Sequence, residues 1–263
     1  LHSRSRRQRQ MCIRDRGNTV GPMEALRLVP PEILRFLVAN SKPSKAIEFD
    51  TAMGLVNLAD EYERLCNRNF RTELEDDALS RRKRVQIEDA MVAVELSSID
   101  ESKARAGASV SFRHLALLAQ VKPTDEGVWQ SLQASGALET PGEELVDRLS
   151  RMRSWIASDH FPEEMRINLS QEPNKNALNL LSVEQKRVVM VLHSALSQFP
   201  WDVEGITAAF KEASVQANVG MRDVYRASDA VFMGAERGPR LAPILSNCER
   251  EEMLTLVKKS AAL

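Results

Sequence analysis

Glycine and aromatic residues are scarce in this chain. Its 263 residues include 11 Gly, and only 5% are Phe, Trp or Tyr. Gly thus stands at roughly 4% against a usual ~7%. There is no Walker phosphate loop, no GxGxxG turn and no nucleophile elbow, which argues against phosphate cradling and serine hydrolysis. Cysteine is limited to Cys12, Cys66 and Cys248. They stand far apart, so neither a disulfide framework nor a zinc knuckle is expected, and a reducing cytoplasm fits best. No apolar run approaches the ~18 to 20 residues of a membrane span, and no secretory apolar core is seen. Catalytic pairs are missing too. Beyond residue 16 the histidines are His114, His160 and His193; His193 lies among apolar helix neighbours and reads as structural. Glu163/Glu164 and Glu251/Glu252 are adjacent pairs, which diverge on a helix and make poor acid–base partners. No complete active site is visible.

What the chain does contain is Ala, Leu, Glu, Arg, Met and Lys, all good helix formers. It is nearly neutral, with 36 Lys+Arg and 37 Asp+Glu. That balance hides an asymmetry. Residues 1–16 carry six Arg and one Asp, so the remainder holds 30 basic and 36 acidic groups, a net charge of −6. Arg6–Arg16, RRQRQMCIRDR, is what a transposase adapter used to build sequencing libraries encodes when translated. Residues 1–16 are therefore read as a disordered, adapter-derived artefact and excluded from fold reasoning. For the mildly acidic remainder, any nucleic-acid partner must be met by a local basic patch.

The expected fold class is all-α. Pro31 stands at a favoured first-turn position before Ile33, Leu34, Phe36, Leu37 and Val38, and Lys42 and Pro43 end that helix. Asp50 or Thr51 can cap the next, whose Leu55, Leu58, Ala59, Tyr62, Leu65 and Cys66 recur at helical spacing. Residues 72–84 read as a solvated connection or helix edge, 85–96 are ambiguous, and Gly107–Ser111 reads as a break. From Ser111 a succession of helices follows, with stripes Leu115, Leu118, Val121 and Leu145, Leu149, Met152, Ile156. Ser182 and Gln185 form a capping box ahead of a helix with Val188, Leu192, Ala195, Leu196 and Phe199 on one face, closed by Pro200. Asp202 caps the following helix, with Trp201 and Ile206 as a hydrophobic staple and Gly220 as its stop. Two last helices are expected near Arg222–Met233 and Ser246–Lys259.

Two segments could meet RNA. The cluster Arg81, Arg82, Lys83, Arg84 could hold phosphates, or be a solvated face neutralised by the acidic run Glu73–Asp77. The segment MRDVYRASDAVFMGAERGPRLAPIL, Met221–Leu245, sets Arg222, Tyr225, Arg226, Arg237 and Arg240 near helix ends and a Gly-Pro turn. Arginine and aromatic side chains together stack on and hydrogen-bond splayed bases. The plainer alternative packs Tyr225 and Phe232 in the core and pairs the arginines with Asp223, Asp229 and Glu236.

Two stretches resemble class I lysyl-tRNA synthetase. PPEILRFLVANSKPSKAIEFDTAMGLVNLADEYER, Pro30–Arg64, resembles the segment that follows that family's catalytic domain. LHSALSQFPWDVEGITAAFKEASVQANVGMRDVYRASDAVFMGAERGPRLAPIL, Leu192–Leu245, is similar to the helical anticodon-binding cage shared with glutamyl-tRNA synthetases. The likeness implies a helical connecting region over 17–110 and an anticodon-binding α-helix cage over 111–263. It also implies that the chain starts just past the KMSKS loop, at Gly17, Asn18, Thr19, Val20, with the HIGH and KMSKS signatures and the Rossmann domain absent. No catalytic residue carries over. The full-length parent would use ATP and Mg²⁺ to attach lysine to its tRNA. This chain would bind neither, and would contact the anticodon stem–loop of lysine tRNA, with no DNA or membrane partner. The candidate RNA-binding residues are Trp201, Arg222, Tyr225, Arg226 and Arg240. The alternatives are the C-terminal half of a glutamyl-tRNA synthetase and a helical protein-interaction domain without RNA contact.

Overall fold

Proline opens each of the first two described helices, α1 (Pro22–Leu28) and α2 (Pro31–Ala39). Its fixed φ and missing N–H suit a first helical turn. The computed structural model describes residues 20–42, 44, 47, 49–97 and 109–263. The adapter-like segment, Gly17–Thr19, Pro43 and the first half of the 107–111 break lie outside them. The described residues form fourteen α-helices and one short 3₁₀ turn, with no strand among them. The all-α expectation holds.

α3 (Met53–Cys66) starts where Asp50 accepts from the backbone N–H groups of Ala52 and Gly54, at 2.9 and 2.8 Å. Asp50 therefore satisfies the orphan donors, while Thr51 is buried. The expected stripe is buried at Leu55, Ala59, Tyr62 and Leu65, joined by Val56 and Glu63. α4 (Phe70–Leu74) and α5 (Arg81–Ser97) follow. The ambiguous stretch 85–96 is the body of α5: its apolar residues are spread around the helix, so Val85, Val92 and Leu96 are exposed while Ile87 and Ala93 are buried. Without one apolar face, helical periodicity has nothing to reveal. The acidic run does not neutralise the basic cluster in the expected way. Glu73 instead forms a two-pronged pair with Arg68, and Arg84 donates to the Leu74 carbonyl at 3.1 Å.

Contacts divide the chain into two compact units, residues up to Ala119 with Leu132–Pro162, and Gln120–Ser131 with Glu163–Leu263. The division read from sequence at 110/111 falls inside the first. Along the chain come α6 (Phe112–Val121), α7 (Asp125–Ala134) and α8 (Glu143–Ile156). In the first unit α2 packs on α3 and α5, and α8 on α1. Its core joins Phe36 to Tyr62 at 5.3 Å between ring centroids, and Trp155 to Phe112 and Phe161 at 5.4 and 4.8 Å. Trp155, absent from the expected stripe, also donates its indole N–H to the Thr51 carbonyl at 2.8 Å. An ion centre lies beside it. Arg148 donates to Glu63 at 2.7 Å and to Glu32 at 3.2 Å, and Glu63 also accepts from the Phe112 backbone N–H at 2.9 Å.

The second unit holds α9 (Lys175–Asn179), α10 (Val183–Gln198), α11 (Val203–Ala217), α12 (Met221–Phe232), α13 (Leu241–Leu245) and α14 (Arg250–Ala261). α10 packs against α11, α12 and α14, so its Val188, Leu192, Ala195 and Leu196 are buried as expected. The capping box at Ser182 and Gln185 is formed on both sides, and Asp202 accepts from Gly205 N–H at 2.7 Å. Gly220 is not the stop of α11. Asn218 takes the left-handed conformation there (φ 52°, ψ 54°), and Gly220 sits at the N-cap of α12. Asparagine is the non-glycine residue most at home in that region, so it satisfies the C-terminal turn two residues earlier. α13 was not expected; five residues are too few to show a period.

Gly205 is constrained by a close approach. A Cβ there would lie 2.2 Å from the Pro200 carbonyl oxygen. Gly205→Ala is expected to destabilise the protein by about 1–3 kcal/mol through overpacking. A denaturant midpoint unchanged from the parent would contradict this.

Candidate nucleic-acid interface

α12 is amphipathic, and its two faces do different work. Val224, Ala227, Val231 and Phe232 are buried in the second unit's core, against α10 and α11. Tyr225 points the other way and is 45% exposed. Its ring is nonetheless held, edge-on to the buried Phe210 of α11 with centroids 6.0 Å apart. Such a tilted pair fixes an aromatic plane while leaving a face open.

Beyond Phe232 the chain turns back across α12. Gly234 adopts φ +61°, and a Cβ there would meet Asn174 Nδ2 at 2.7 Å. Glycine serves this turn for both reasons, since it has no side chain to clash in the left-handed region. Ser170 N–H donates to the Phe232 carbonyl at 2.8 Å and Asn174 Nδ2 to that of Gly234 at 3.3 Å, tying down the start of the turn. Gly238 N–H then donates to Asp229 Oδ2 at 3.1 Å. The outcome is an open cavity of about 500 Å³ between α11, α12 and the 238–243 segment. It is lined by Thr207 and Phe210, by Tyr225 and Asp229, and by Pro239 and Arg240, among others. That volume lies within the ~300–1,000 Å³ of ordinary ligand clefts.

Asp229 is the unusual member. It is 8% exposed, and burial raises its carboxyl to about 6, against a smaller lowering by the Gly238 N–H. Desolvation penalises the charged form, and the single backbone donor offsets only part of that.

The five residues singled out in the sequence are not equivalent. Tyr225 and Arg240 line the cavity. Arg222 is exposed one helical turn before Tyr225. Arg226 lies 3.5 Å from Glu236. Trp201 is half-buried elsewhere in the unit, donating its indole N–H to the Cys248 carbonyl at 3.0 Å with the Arg250 guanidinium 6.0 Å from its ring centre. The plainer reading of this segment is met only in part. Phe232 is buried, but Tyr225 is not, and Asp223 accepts from Gln185 at 3.0 Å rather than from an arginine. Sequence reasoning placed Asp229 among the ion-pair acceptors and did not mark Phe210 or Thr207. The spacing of Asp229 four residues after Tyr225 was the available signal, since i and i+4 share a helix face.

Nothing else in the second unit suggests bond-breaking chemistry. Burial pushes the Cys248 thiol up to about 11, which keeps it protonated and a poor nucleophile. Among the described residues no group of three or more His, Cys, Asp and Glu could hold a metal ion, and no helix is long and apolar enough to cross a membrane.

Comparison with known proteins gives a consistent result. Residues 6–90 match the family model described as tRNA synthetases class I (K). The chain is 26% identical over 243 residues to a lysine–tRNA ligase of Thermoplasma volcanium, covering 92% of this chain and 44% of the relative. It is 25% identical over 246 residues to that of Thermococcus kodakarensis, covering 90% and 44%. It is 27% identical over 241 residues to that of Methanopyrus kandleri, covering 86% and 41%. The resemblance to class I lysyl-tRNA synthetase read from the sequence is thus supported over about nine-tenths of the chain. The chain spans less than half the length of these curated relatives.

Proposed function

We propose that this chain is the tRNA-binding part of a class I lysine–tRNA ligase, with the second unit contacting the anticodon stem–loop of lysine tRNA. The observation that carries this reading is the cavity lined by Tyr225 and Arg240, with Arg222 exposed nearby. A half-exposed, edge-supported tyrosine is a platform for an unstacked base, and arginines beside it can hold phosphates. In that reading Arg226 belongs to the surroundings of the platform, and Trp201, bonded to the Cys248 carbonyl, lies apart from it. The complete ligase would attach lysine to its tRNA at the expense of ATP with Mg²⁺. No residue here is proposed to hold either group. No catalytic step is therefore assigned to this chain.

The expected result is weak binding of lysine tRNA by this chain, with no lysyl-adenylate formation. Two arginine–phosphate contacts, by Arg222 and Arg240, give a slope of about −1.4 to −1.8 in log affinity against log salt. Filter binding between low and moderate salt measures it. A flat salt response would instead favour a helical protein-interaction domain, for which the exposed apolar residues Leu180, Val183 and Met190 are the supporting feature. Preference for a glutamate over a lysine anticodon would point to the glutamyl enzyme.

A further inference from the structure

We infer that the groove between α9, the first half of α10 and the end of α14 docks an amphipathic helix of a partner protein, one whose apolar face is flanked by acidic residues. The groove shares no lining residue with the cavity beside Tyr225. The inference does not rest on the tRNA reading.

α10 is apolar on two sides. Its inward face, Val188, Leu192, Ala195 and Leu196, is core. On the outward side Val183, Lys186, Arg187 and Met190 recur at i, i+3, i+4 and i+7, which sets them in one stripe along the helix. All four are exposed, Val183 at 72% and Met190 at 65%. Leu180, between the lining residues Asn179 and Leu181, is 87% exposed. Leu178 and Val189 are buried at the same groove and Leu181 is half-buried. The groove is open, about 550 Å³ in volume, and reaches Ala261 of α14. Apolar side chains exposed singly are ordinary, whereas a set gathered around one groove marks an interaction surface.

Charge selects the occupant. The charged residues lining the groove are Lys175, Lys186 and Arg187, all cationic. Arg187 has an exposed contact with Glu184 at 3.7 Å, and no ion pair of Lys175 or Lys186 is seen among the described residues. On α14, Lys259 is already taken by Glu172 at 2.7 Å. An aliphatic floor rimmed by one sign of charge complements a helix that presents leucine-like anchors between carboxylates. RNA fits less well, because bases are held by stacking and no aromatic side chain lines the groove. A second copy in a two-fold pairing would set these cations against their own equivalents.

The test titrates the full chain with three labelled peptides of about 18 residues, long enough to be helical. One carries leucines at i, i+3 and i+7 flanked by glutamates. The second has lysines for the glutamates, and the third is a scramble of the first. The expected result is binding of the acidic amphipathic peptide alone, weakening as salt rises. Met190→Ser should lose roughly tenfold, as for one apolar anchor, and should leave lysine-tRNA binding as in the parent. Lys186→Glu with Arg187→Glu should transfer the preference to the lysine peptide. Because these side chains are exposed, thermal melts of both variants should match the parent's. Failure to bind the acidic peptide at low salt overturns the proposal, as does equal binding of the scramble or indifference to either variant. Displacement of the peptide by a tRNA stem–loop assigns the groove to RNA instead. Stronger binding to anionic phospholipid vesicles assigns it to a membrane surface, and a dimer abolished by Met190→Ser to a second copy; each of these also overturns it. Absence of tRNA binding by the parent bears on the earlier reading alone.

Discussion

Glu63→Ala is expected to cost the first unit about 3–5 kcal/mol, the penalty of leaving a buried charge without its partner. Glu63 and Arg148 are 6% and 1% exposed, and their 2.7 Å contact links α3 to α8. Removing the carboxylate strands more than the guanidinium. The Phe112 backbone N–H, which starts α6, also loses its acceptor. Glu32 remains 3.2 Å from Arg148, but it is half-buried and meets only one nitrogen. Burial pushes the Glu63 carboxyl above the usual range in spite of Arg148, so desolvation outweighs the pair's attraction. The pair is therefore expensive to break without being a strong net stabiliser. Replacing both residues by apolar ones, as in Glu63→Leu with Arg148→Met, should recover the part of the loss due to the stranded guanidinium, but not the part due to the Phe112 N–H. Thermal denaturation reads the difference as roughly 6–20 °C for the single change. A double replacement as damaging as the single one would refute this account.

Tyr225→Ala should weaken tRNA binding by roughly 5- to 150-fold, the equivalent of about 1–3 kcal/mol for one stacked base. Because the side chain is 45% exposed, stability should change little. Tyr225→Phe keeps the plane and its contact with Phe210, so it should bind nearly as well as the parent. Phe210 is a less clean probe, since it is 1% exposed and its truncation would open the core beneath. Fluorescence anisotropy with a labelled stem–loop measures all three. Equal binding by Tyr225→Ala would remove the stacking platform from the proposed function.

Much of the fold was legible because its signals are local. The capping box at Ser182 and Gln185, the Asp202 cap and the stripe from Val188 to Leu196 each lie within two or three turns of one helix, and each is formed. Errors came where local chemistry offers two answers. Asn218 and Gly220 can both end a helix, and the chain used the first. α5 hid because its apolar residues do not share a face. At the candidate interface, residue type picked out Tyr225 and Arg240, which line one cavity, and equally Trp201, whose indole N–H is spent on Cys248. Nothing in the residues adjacent to Trp201 announces that partner.

By itself, then, the sequence determined the helical class, the caps, most core stripes and the resemblance to lysine–tRNA ligases. These depend on backbone preference and on apolar spacing along one helix. The tertiary structure alone decided that Glu63 finds Arg148, and that Asp229 is buried with one oxygen bound to Gly238 and, among the described residues, no arginine paired with it. The reason is physical. A charged side chain's state is set by the elements packed around it, and those elements come from distant parts of the chain.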